Sequence, residues 1–160
     1  MIRRLASFLR DRRGTAGAEM ALVTPLLVII IFGAFEAGNF FWNEQIVIKA
    51  VRDGARFAGR QSFTKYTCST VDGTVATAIK TLTRTGSPSG TNARVAGWTD
   101  AQVTIAVSCD TRAGIYAGNG GNAPRVTVSA TVPYTALFGS LIFSGALDLV
   151  ASAQSPVMGI

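Results

Sequence analysis

Within residues 16–35, AGAEMALVTPLLVIIIFGAF, Glu19 is the lone charge. A carboxylate at the centre of a membrane helix costs on the order of 3 kcal/mol, and less near an end, so such residues usually have a partner. The alternative is solvation of Glu19 by headgroups and Arg13 at the interface. Cys68 and Cys109 are the only cysteines, separated by 41 positions, a spacing unlike that of a zinc site. Histidine is absent, which removes the commonest general base and metal ligand. Lys49, Lys65 and Lys80 sit in no Ser–Lys hydrolase pattern, and the glycines at 118–121 lack the Lys-Ser/Thr of a phosphate cradle, so a turn is expected there. Asp110, Asn119 and Asn122 do not have the spacing of a calcium loop. The chain is therefore expected not to be an enzyme and to carry no catalytic, cofactor or metal site.

The elements that must position Glu19 follow from where the charges fall. Residues 1–13 hold five arginines against Asp11, whereas the remainder holds ten Lys/Arg against eight Asp/Glu. The net charge of +6 is thus mostly a basic N-terminal cluster abutting an apolar run, which reads as a cytoplasmic membrane flank. A nucleic-acid binder would carry its basic stripe on the folded domain, so nucleic acid is an unexpected partner and membrane lipid an expected one. Residues 1–14 form a basic leader. The next twenty apolar residues span about 30 Å as a helix, the thickness of a hydrocarbon core. Phe40, Phe41 and Trp42 follow as interfacial aromatics, which sets a transmembrane helix at 15–42. Pro25 removes one helix hydrogen bond and bends the span.

A cleaved secretory signal would also begin basic and turn apolar. Here the apolar stretch is long for that role and the helical pattern runs on without a break. Val47, Val51, Ala55 and Ala58 recur at helical spacing, with Lys49, Arg52, Asp53, Arg56 and Arg60 on the rest of the turn. This predicts an amphipathic stem at 43–60, continuous with the anchor.

Residues 61–160 read as an extracytoplasmic α+β domain with a small antiparallel sheet of about three strands plus a short helix. Val75, Ala78, Ile79 and Leu82 predict the helix, stopped by TGSPSG at 85–90. Val103, Ile105, Val107 and Cys109 alternate with polar or small residues, as do Val126, Val128, Ala130 and Val132, giving two strands separated by a loop at 113–124. Residues 146–153 predict the third. Residues 134–143 are apolar and fit a short helix or a loop equally well. Both cysteines lie beyond the apolar run, in an oxidising space under this topology, and a Cys68–Cys109 bond is expected. It would close a loop of about 42 residues, for which chain entropy gives about 4 kcal/mol. Two unrelated buried thiols are the alternative.

Arg12-Arg13-Gly14, four small residues (Thr15, Ala16, Gly17, Ala18), Glu19 and then the apolar run resemble the processing site of type IV pilin-like precursors. Pro25 after AEMALVTP, Glu36-Ala-Gly at the end of the span and KAVRDGARFAG in the stem are most similar to the TadE-like minor pilins of the tight-adherence (Flp) pilus system. The strand VTVSATVPY and the later LDLVASAQ resemble that family more loosely. Thr15 stands where a major type IV pilin or type II secretion pseudopilin has Phe, and the large C-terminal domain separates the chain from the short major Flp subunit. The resemblance implies cleavage between Gly14 and Thr15 by a prepilin peptidase. It implies an assembly role for Glu19, facing the new α-amino group of an adjacent subunit. It further implies a single-pass protein of the bacterial inner membrane, N-terminus cytoplasmic and domain periplasmic, with incorporation into the fibre left open. Its partners would be other pilins and minor pilins and the inner-membrane assembly platform. A membrane-anchored binding module, such as a competence-type minor pilin contacting DNA or a surface ligand, is the competing class.

Overall fold

The structure, a computed structural model, describes residues 15–139 and 145–159. The predicted leader, and with it Gly14, lies outside the described residues. Helix α1 (Thr15–Gly59) runs 45 residues without interruption, with Pro25 inside it. Thr24 Oγ1 donates to the Met20 carbonyl at 2.6 Å one turn before the proline. Leu22 is 80% exposed, and every large apolar side chain from Met20 to Ile31 is likewise exposed among the described residues. This bare stretch belongs to a window of mean hydropathy 2.2, a candidate membrane anchor by length and composition.

From Phe32 onward the same helix acquires a covered face. Glu36, Val47, Ala50, Val51, Ala55 and Ala58 are buried, and Asn39, Phe40 and Asn43 are half-buried between them. Their three- and four-residue spacing puts them on one side of α1, as predicted for the stem. Anchor and stem are one helix, and the stem half is part of the domain's core.

Helix α2 (Gly73–Thr85) begins at Asp72, whose Oδ1 accepts from Thr74 N–H at 3.0 Å and Val75 N–H at 3.4 Å. It ends at Gly86, whose N–H still bonds the Leu82 carbonyl at 2.7 Å and whose φ of 88°, in the left-handed region, turns the chain out of the helix. Val75, Ile79 and Thr83 form its buried stripe. At Gly54 the two helices meet so closely that a Cβ there would overlap Thr83 Oγ1. Glycine is required by the helix–helix approach, since the backbone itself is helical.

Strands β1 (Val103–Thr111), β2 (Asn122–Pro133) and β3 (Asp148–Pro156) form an antiparallel sheet in the order β1-β2-β3. The register pairs Ile105 with Val128 and Ala130 with Ala151, so Val103, Val126, Val128, Ala130, Val132, Leu149 and Ala151 point to one face. That face packs on α1, chiefly through β3 and β2, while α2 lies beside α1 near β1. The result is a two-layer α+β domain with helices on one side of the sheet and Ser/Thr-rich positions on the other.

Two boundaries differ from the sequence reading. Residues 122–124, assigned to the loop, belong to β2, because Cys109, Asp110 and Thr111 extend β1 far enough to pair with them. The loop itself contains a 3-10 turn at Gly114–Asn119. The third strand begins two residues later and runs three further than expected, to Pro156, because pairing with Arg125 continues past the apolar part of the segment. Of residues 134–143, those at 134–138 are irregular chain, and 140–143 lie outside the described residues.

Candidate functional site

The candidate site is the length of α1 below and beside the domain. Thr15 is the first residue of the helix, and Glu19 is exposed one turn later, about 6 Å along the axis. Nothing else in the described chain comes near this end. Glu19 lies on a stretch of the helix that is exposed from Ala16 to Ile31 among the described residues.

Cys68 and Cys109 are brought together, with their Cα atoms 5.0 Å apart and their sulfurs bonded. Cys68 lies in the turn that precedes α2, closed by a bridge between Tyr66 and Val71, and Cys109 is near the end of β1. The bond therefore fastens the chain leaving the stem to the far edge of the sheet. Nearby, the Tyr66 hydroxyl donates to the Ala58 carbonyl at 2.7 Å, and burial pushes its pKa up to about 12.

The other polar candidates from the sequence serve local structure. Asp110 is paired with Arg125 and lies 3.8 Å from Arg112, while Asn119 Nδ2 donates to the Asn122 carbonyl at 2.9 Å. Gly120 and Gly121 take φ values of 64° and 77°, the left-handed conformations a tight turn requires. Lys65 Nζ is 3.6 Å from Asp72. Among the described residues no three His, Cys, Asp or Glu side chains converge as a metal site.

For one residue, Glu36, the sequence reading supplies a place in a motif and no structural role. Glu36 is 2% exposed, yet among the described residues no cation pairs with it. Its Oε1 accepts from the Tyr134 hydroxyl at 2.5 Å and from Leu137 N–H at 3.2 Å, and its Oε2 accepts from Phe138 N–H at 3.1 Å. Asn39 Nδ2 donates to the Tyr134 oxygen at 2.7 Å, and Asn43 Nδ2 donates to the Asn39 carbonyl at 2.8 Å. The carboxylate thereby pins the chain leaving β2 to α1, and Phe138 stacks edge-on against Phe32 with ring centroids 4.7 Å apart. The available signal was a polar stripe, Glu36, Asn39 and Asn43, at helical spacing where an apolar run gives way to the stem. Its partners, about a hundred residues away, are two backbone amides and a tyrosine, which no local pattern reveals. An open groove of about 360 Å³ beside this knot is lined by Asn39, Asn43, Val95, Ala96, Tyr134 and Leu137.

Residues 14–56 match the family model of TadE-like proteins. The match covers the start of the helix, the bare anchor and most of the stem, and it supports a TadE-like protein of the tight-adherence system. No curated protein and no solved structure matches the chain significantly.

Proposed function

We propose that this TadE-like, pilin-like chain is a minor pilin that takes part in assembling an adhesive tight-adherence pilus, and that it is not an enzyme. The observation that carries the reading is the single helix α1, bare and apolar at its start and the spine of a folded domain at its end. Such a construction lets the anchor wait in a bilayer and then pack laterally against equivalent helices, while the domain stays in water. Five leader arginines would hold residues 1–14 in the cytosol and leave the domain on the periplasmic side of the inner membrane. The disulfide between Cys68 and Cys109 accords with that compartment.

In this account a prepilin peptidase cuts after Gly14. The new amine at Thr15, with a reference pKa near 8, is charged at neutral pH. Glu19 then meets the amine of a neighbouring subunit, and pairing in low dielectric fixes register more than it adds stability, because desolvation offsets much of the Coulomb gain. Other pilins and the inner-membrane platform are the partners.

Deleting the gene in the native host, counting surface fibres and measuring surface adherence tests the role. Loss of both, restored by the wild-type gene but not by one encoding Glu19→Ala, is expected. Normal piliation of the deletion strain would overturn it.

A further inference from the structure

The span expected from the sequence, 15–42, overlaps the part of α1 that the domain covers, which starts at Phe32. Something from the domain therefore reaches the level of the anchor. At about 1.5 Å per residue, Phe32 stands about 24 Å above Ala16, inside a hydrocarbon core of about 30 Å. Phe138, packed against Phe32, shares that level. Leu137 beside it is 60% exposed and Leu147, at the return to β3, is 38% exposed. From residue 126 to residue 147 the sequence carries no charged side chain, so nothing in this connection resists contact with lipid on electrostatic grounds.

We propose that the described ends of the connection between β2 and β3, residues 134–139 and 145–147, are a second membrane contact, which lays Leu137, Phe138 and Leu147 into the leaflet from which the domain emerges. Glu36 makes this feasible. Irregular backbone entering a bilayer leaves N–H groups without water, and each such group is strongly disfavoured unless it finds an acceptor. The carboxylate supplies one to Leu137 N–H and to Phe138 N–H. Glu36 itself sits about 30 Å above Ala16, at headgroup height, with Tyr134 bridging it to Asn39. Phe41 and Trp42, 60% and 69% exposed, ring the helix just above. The domain would thus be held at a fixed height and tilt on the membrane instead of swinging on its stem.

This inference rests on α1 being the anchor, and its test separates the two. The full chain is reconstituted in phospholipid nanodiscs after single spin labelling, without reductant, at Leu137→Cys, Leu147→Cys, Leu27→Cys or Ala106→Cys, with the unmutated chain as blank. Collision rates with oxygen, enriched in lipid, and with a neutral nickel chelate, enriched in water, are then compared. Leu27 and at least one of Leu137 and Leu147 should favour oxygen severalfold, while Ala106, on the outer face of the sheet, should favour nickel. Oxygen preference at Leu27 with nickel preference at both loop positions overturns the loop proposal and leaves the anchor standing. Nickel preference at Leu27 overturns both. Loop labels shielded from both probes would assign the surface to a protein partner and overturn the lipid assignment.

Discussion

At the scale of single residues, the groups that matter are those whose partners lie far away in sequence. The bond between Cys68 and Cys109 ties the exit of the stem to the sheet edge. Replacing both cysteines by serine should lower domain stability by about 4 kcal/mol, read from denaturant unfolding of detergent-solubilised protein. Native protein mapped without reductant should yield the two cysteine peptides linked, and two freely alkylatable thiols would reject the bond. Leu149 is fully buried and its neighbour Val150 is 61% exposed. Leu149→Ala should therefore cost about 3 kcal/mol and Val150→Ala less than about 0.5 kcal/mol; comparable losses would contradict the strand register. Alternation made the buried faces of β1 and β2 legible, whereas for the third strand only its approximate place, and not which side faces inward, was read from the sequence. Glu36 was visible only as part of a motif. Its function lies in three hydrogen bonds to residues 134–138, and a carboxylate at the end of an apolar run does not announce which distant backbone will bond to it.

At the scale of elements, the sequence forecast one helix from anchor through stem, and α1 is that helix. It also forecast α2 and three strands, since 3.6- and 2-residue periods are strong signals over such lengths. The ends were less legible: β2 gained residues 122–124 and β3 ran on to Pro156, because strand ends are set by the partner's hydrogen bonds rather than by local polarity. The crossing of α1 and α2 depends on Gly54 lying against Thr83. Gly54→Leu should force the helices apart and destabilise the domain by about 1–3 kcal/mol, visible in denaturant midpoints, whereas Gly73→Ala, with open space around it, should be far milder. The start of α2 carries a pH dependence. Hydrogen bonding from Thr74 and then from Val75 N–H holds the Asp72 carboxyl below its usual range. A depressed carboxylate contributes stability that is present above its unfolded pKa and is lost as pH falls through the folded one. Acid unfolding of Asp72→Asn, which keeps a capping oxygen, should lack this component, and an unchanged pH profile would contradict the assignment.

At the scale of the whole molecule, a bare helix below a domain built on the same helix is a shape suited to lateral assembly, and Glu19 is the one charge on the bare part. Processing comes first: protein from the native host should begin at Thr15, and a native chain still beginning at Met1 would sink the cleavage step. The central claim is that the anchor packs against other pilins and that Glu19 sets the contact. It is tested most directly by placing a photoreactive amino acid at Leu22, 80% exposed on the anchor, and crosslinking in the native host. The account predicts adducts with other pilins of the system in the wild-type background, and their loss in Glu19→Ala despite normal membrane insertion and processing. Adducts with lipid alone, or pilin adducts that persist unchanged in Glu19→Ala, would contradict it.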